Sequence, residues 1–74
     1  MDLIAEPRQQ YANKLITLSG YIVATIKILE LESLNIPWLA NEMGVRYTSL
    51  RDCILKLRAQ GLITIPTVDP RKVI

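Results

Sequence analysis

The chain has 74 residues, half of them apolar, with nine basic and seven acidic side chains, a single cysteine and no histidine. That inventory excludes an internal disulfide, a zinc site built from cysteine and histidine, and a histidine-based catalytic triad; it is also too apolar for a disordered chain. The length holds one domain, of a size that buries only about 60% of its unfolded surface, so the surplus of apolar side chains points to a second copy of the chain.

Residues 1–6 are expected to fray. Pro7 suits the first turn of a helix, where its missing N–H costs nothing. Tyr11, Leu15 and Leu18 then recur at helical spacing, with Ala12 and Ile16 beside them, and predict a helix over residues 7–18. Ser19-Gly20 interrupts the pattern. Ser19 is the expected cap of a second helix over residues 20–33, whose stripe is Ile22, Ile26 and Leu29 with Val23 alongside. The same stretch, LITLSGYIVATI, is rich in β-branched residues and also reads as a hairpin turning at Ser-Gly. Residues 15–34 are interrupted by Lys27, Glu30 and Glu32, which argues against a membrane span.

Asn35 is the expected cap of a third helix, with Pro37 in its first turn; Ile36, Leu39, Ala40 and Met43 form its inner face. Gly44 ends it, because glycine takes a left-handed backbone without steric cost. The fourth helix is predicted over residues 47–60 and stops at Gly61. Leu50, Cys53, Ile54 and Leu57 fall within about 100° of its circumference and make its core face. Cys53 lies in that stripe and reads as a small buried hydrophobe. LITIPT then supplies a short strand, an Asp-Pro pair a turn, and KVI a second strand. The expected fold is mainly α with a small β-hairpin: an N-terminal helix over 7–18, a helical core over 20–61 and a C-terminal hairpin over 62–74.

Charge is unevenly placed along the chain. Residues 1–43 carry Arg8, Lys14 and Lys27 against Asp2, Glu6, Glu30, Glu32 and Glu42, a net charge of −2. Residues 44–74 carry Arg46, Arg51, Lys56, Arg58, Arg71 and Lys72 against Asp52 and Asp69, a net charge of +4. A basic second half is the footprint that a nucleic-acid-binding face leaves.

The segment LANEMGVRYTSLRDCILKLRAQGLI, residues 39–63, carries a specific pattern. Its marks are Leu39-Ala40, the turn Met43-Gly44-Val45, then Leu50, Ile54 and Leu57, and the closing Gly61-Leu62-Ile63. This pattern resembles the helix-turn-helix and first wing strand of winged-helix DNA-binding regulators of the MarR-like and ArsR-like kind. The resemblance implies a winged helix-turn-helix with residues 47–60 as the recognition helix in the major groove of double-stranded DNA. It assigns base reading to Tyr47, Thr48, Arg51 and Asp52. Arg51 would donate to guanine O6 and N7, Thr48 would meet a base edge or a thymine methyl, and Asp52 would accept from cytosine N4. Arg46, Ser49, Lys56 and Arg58 suit phosphate contacts. Arg71 and Lys72, in a wing over 66–72, would reach the backbone or the minor groove. A homodimer is expected, joined through Tyr11, Leu15, Leu18 and Ile22, on a near-palindromic operator.

Plainer roles exist for the same side chains. Asp52 and Lys56 stand four apart in the order that favours an ion pair along a helix, and Tyr47 can stack on Arg51. Leu55 and Ala59 sit on the outward face where polar residues are usual, and Trp38 replaces a polar residue on the third helix. These motivate a second reading, a winged-helix protein-interaction module in a replication, transcription or sorting assembly. Neither a carboxylate pair, a glycine-rich phosphate loop nor a nucleophile with a base can be assembled, so no enzyme, cofactor or metal is expected. With no basic-then-apolar leader and no sensor domain, the expectation is a cytoplasmic regulator from a prokaryotic cell or its virus or plasmid.

Overall fold

The computed structural model describes residues 2–68, and the chain divides after Leu31 into two compact units. The first holds helices α1 (Ala5–Ala12) and α2 (Leu18–Leu29). The second holds, in order, strand β1 (Leu34–Asn35), helix α3 (Ile36–Met43), helix α4 (Tyr47–Ala59) and strand β2 (Thr67–Val68). The described residues are thus mainly helical, with one small two-stranded sheet. No helix among the described residues is long and apolar enough to cross a membrane.

The first unit departs from the sequence reading. Residues 2–5, expected to fray, instead make internal contacts: the Asp2 carbonyl accepts from the Ala5 N–H at 3.4 Å, the Asp2 carboxylate accepts from the Ile4 N–H at 3.3 Å, and Ile4 is buried. Helix α1 therefore starts two residues before Pro7. It stops at Ala12 rather than 18 because Lys14 turns left-handed, with φ of 60°. The Lys14 N–H then donates to the Tyr11 carbonyl at 3.0 Å and the Leu15 N–H to the Gln10 carbonyl at 2.8 Å, the bond pair that closes a helix over a left-handed residue. Helix α2 opens two residues earlier than expected. Its cap is Thr17, not Ser19: the Thr17 hydroxyl accepts from the Gly20 N–H at 3.2 Å. The hairpin alternative is overturned, since residues 18–29 are helical. The helix closes at Leu29 over a second left-handed residue, Glu30, with φ of 51°.

Helices α1 and α2 pack through Tyr11 and Tyr21, whose ring centroids are 5.3 Å apart. Tyr21, Ile22 and Thr25 are buried, and the Thr25 hydroxyl donates to the Tyr21 carbonyl one turn back at 2.8 Å. Arg8 of α1 pairs with Asp2 and holds its carboxyl below the usual carboxylate range. Burial pushes the Tyr21 phenol above its ordinary value, and the neighbouring Arg8 charge offsets part of that rise.

The second unit follows the sequence reading through its helices. Asn35 caps α3, its side chain accepting from the Trp38 N–H at 3.1 Å, and Pro37 lies in the first turn. Gly44 ends the helix with φ of 70°, and the Val45 N–H reaches back to the Ala40 carbonyl at 3.1 Å. Three residues later α4 begins. Its buried residues are Leu50, Ile54 and Leu57, with Cys53 half-buried at the edge of the stripe. Leu34, Ile36, Leu39, Ala40, Met43 and Ile63 complete the buried residues of this unit.

The strands differ from expectation. Residues 34–35 form β1, which pairs in parallel with β2, Leu34 opposite Thr67 and Asn35 opposite Val68. The expected strand LITIPT is irregular until Thr67. Gly61, with φ of 75°, turns the chain out of α4, and the Leu62 N–H is bound to the Leu57 carbonyl at 2.9 Å. Pro66 has no N–H for a ladder and contributes its carbonyl alone, accepting from the Leu34 N–H at 2.9 Å. The expected partner strand KVI, with Arg71 and Lys72, lies outside the described residues.

Candidate nucleic-acid interface

The outward face of α4 follows from its inward one. With Leu50, Ile54 and Leu57 buried at steps of four and three, Thr48, Asp52, Leu55 and Ala59 are turned to the other side and Arg51 to its flank. Thr48, Ser49, Asp52, Leu55, Lys56 and Ala59 are all exposed, and Arg51 and Tyr47 are half-buried. Arg46 is exposed and forms the N-cap, but its side chain makes no capping bond. The first amides of a helix have no partner within it, so an N-terminus without a side-chain cap offers positive peptide dipole ends outward.

Two expected reading residues are tied to each other. The Arg51 Nε and Nη2 atoms both donate to the Asp52 Oδ1, at 3.3 and 3.1 Å. Asp52 therefore pairs with its neighbour and not with Lys56. The Arg51 guanidinium carbon lies 6.0 Å from the centre of the Tyr47 ring. Tyr47, Arg51 and Asp52 thus form one cluster on the first two turns of α4, next to Thr48 and Ser49.

Arg58 does something the sequence did not reveal. Its Nη2 donates to the Ile65 carbonyl at 2.7 Å and to the Thr67 hydroxyl, so the guanidinium fastens the chain before β2 onto α4. That nitrogen serves two internal acceptors, a structural role that stands beside the phosphate contact expected of Arg58. Nothing in the linear pattern marks this role; the acceptors lie seven and nine residues on, past a glycine turn.

The expected dimer residues do not form one stripe. Tyr11 is on α1 against Tyr21, Leu15 is exposed in the connection between α1 and α2, Leu18 opens α2, and Ile22 is fully buried. The stripe required a continuous helix over 7–18, and the left-handed turn at Lys14 breaks it. An open depression of about 520 Å³ lies over this connection, between Tyr11 and Thr17. Among the described residues no group of three or more acidic, cysteine or histidine side chains is placed to hold a metal.

The large apolar side chains left outside include Leu55, 54% exposed on α4, and Trp38, 46% exposed on α3. No protein-family model matches the chain, and neither does any curated protein or any solved structure.

Proposed function

We propose that the protein is a sequence-specific double-stranded-DNA-binding regulator of the winged-helix kind, acting as a homodimer, with α4 as its recognition helix. One observation carries this reading. A three-residue turn joins α3 to α4, and α4 hides Leu50, Ile54 and Leu57 while Thr48, Ser49, Arg51 and Lys56 are left on accessible turns. An α-helix fits the major groove, and helix-turn-helix proteins meet base edges with the N-terminal residues of the second helix. In this reading Arg46, Ser49 and Lys56 neutralise phosphates, Thr48 and Arg51 face bases, and Arg71 and Lys72 add charge beyond the described residues.

The test is selection of bound duplexes from a randomised pool, with the affinity of the winner measured against salt. A preferred site is expected, and binding that weakens steeply as salt rises, because each neutralised phosphate releases counterions. Absent or salt-insensitive binding at low ionic strength overturns the reading.

A second reading rests on Leu55 and Trp38. Exposed apolar side chains of this size on two helices of one unit suit a protein-interaction module. The two readings part on the outward face of α4, through the Leu55 substitution argued in the Discussion.

A further inference from the structure

We infer that Asp52 is a positioning residue that aims Arg51 at guanine and does not itself read a base; the inference rests on the DNA-binding reading above. Residues one apart on a helix do not face each other, so a contact between neighbouring side chains requires both to bend toward a common point. Here they do. Two atoms of the Arg51 guanidinium, Nε and Nη2, converge on the single Asp52 Oδ1, at 3.3 and 3.1 Å.

An exposed pair of this kind adds little to stability, because both charges remain largely solvated and two long side chains lose freedom. The Asp52 side chain is 59% exposed and that of Arg51 34%. The consequence is orientation. A guanidinium has three edges. The edge bearing Nε and one Nη2 hydrogen is occupied by Asp52. The terminal edge keeps one hydrogen on Nη1 and one on Nη2, parallel and pointing away from Asp52, and neither nitrogen has another acceptor among the described residues. Two parallel donors match the O6 and N7 acceptors that guanine alone presents together in the major groove. Tyr47, with its ring centre 6.0 Å from the guanidinium carbon, borders the cluster on its helix-N-terminal side. The contact biases the side chain toward this orientation before DNA arrives, so less of its rotamer freedom is lost on binding.

This assignment separates Asp52 from the cytosine contact that its residue type alone allows. A carboxylate on the face that approaches phosphates repels them, so its removal alone strengthens binding to arbitrary duplex. Its presence is explained by what it does to Arg51.

The experiment uses the full chain and the duplex selected above. The base read by Arg51 is located as the position where Arg51→Ala no longer discriminates. Four duplexes carrying each base pair there are then compared by competition. The wild type is expected to prefer guanine by about tenfold, the discrimination a good bidentate pair supplies. Asp52→Ala is expected to lose that preference to within about twofold while binding random duplex as well as the wild type or better. Asp52→Asn, which keeps an oxygen acceptor at the same place, is expected to restore part of it. A merely structural role would lower binding to all four duplexes alike and leave their ratio unchanged.

Two results overturn the inference alone: a full guanine preference in Asp52→Ala, or a cytosine preference that Asp52→Ala loses and Arg51→Ala keeps. A wild-type chain that binds no duplex at low salt overturns the DNA-binding reading and the inference together.

Discussion

All four helices end by the same device, a single residue in the left-handed region, yet only two of those residues are glycine. Gly44 and Gly61 close α3 and α4, whereas Lys14 and Glu30 close α1 and α2 with φ of 60° and 51°. A side chain in this conformation crowds its own carbonyl, at roughly 1 kcal/mol. A Cβ placed on Gly44 or Gly61 would meet nothing within 4 Å, so substitution there costs backbone strain and nothing else. Lys14→Gly and Glu30→Gly are each expected to stabilise the protein by about 0.5 kcal/mol, the strain relieved less the greater freedom of glycine in the unfolded chain. Gly44→Ala and Gly61→Ala are each expected to destabilise it by about 0.5 kcal/mol, the same balance reversed. Denaturant midpoints at unchanged slope would measure all four, and a stabilising Gly44→Ala would show the shared device to be misread.

At the same scale, pH acts through two groups in the first unit. Burial raises the Tyr21 phenol above its ordinary 10.0, so the folded state favours the neutral ring. The stability this contributes is whole below pH 10 and is lost as pH rises through the folded value. Asp2 runs the other way: Arg8 lowers it from 3.8, so its contribution is present above that pH and fades as acid protonates the carboxylate. Tyr21→Phe is therefore expected to flatten the alkaline limb of a stability–pH curve and to leave the acid limb in place. An unchanged alkaline limb would show that Tyr21 does not govern it.

Among the elements, those announced by side-chain chemistry were legible and those set by backbone alone were not. Asn35, Pro37 and Gly44 bracket α3, and Gly61 stops α4, so both could be placed from the sequence to within a residue or two. The left-handed Lys14 carries no such mark. The regular spacing of Tyr11, Leu15 and Leu18 therefore predicts a helix through what is a turn, and Ser19 beside Gly20 looks like the cap where Thr17 is. Strand β1 is two residues long and directly abuts a helix cap, which leaves no room for an alternating pattern. The outward residues of α4 were legible because its buried stripe was. The Arg51–Asp52 contact was not, since helical spacing favours Asp52 with Lys56, nor was the turn of Arg58 toward Ile65 and Thr67. Arg58→Ala removes two partly buried bonds to the chain that leads into β2 and is expected to cost about 2 kcal/mol, as charge-assisted bonds do. The Leu34 amide, whose proton is bonded to the Pro66 carbonyl, reports the loss: its hydrogen exchange should accelerate while that of the Leu50 amide in α4 changes far less. Equal acceleration of both would mean that Arg58 supports the whole unit and not the strand pairing.

For the molecule as a whole, the question is what meets the exposed face of α4, and Leu55 is the residue on which the answers separate. It lies one turn beyond Arg51 and Asp52 and two turns beyond Thr48, on the same outward side, with more than half of its surface accessible. A carboxylate there is solvated in the free chain, so Leu55→Asp should shift stability by no more than about 0.5 kcal/mol, as surface substitutions do, and helical content should stay the same. In a duplex-binding protein the new charge enters the groove beside the phosphates. Affinity should then fall by at least about tenfold, with little change in the mass of the free protein, because like charges in an interface are costly and strongly salt-dependent. In an interaction module the same change removes an apolar contact from the centre of a protein interface and leaves any DNA affinity intact. Titrating wild type and Leu55→Asp against the selected duplex, beside the solution mass of each, decides between them. Retained DNA binding with loss of self-association or of a partner would move α4 from a nucleic-acid surface to a protein one.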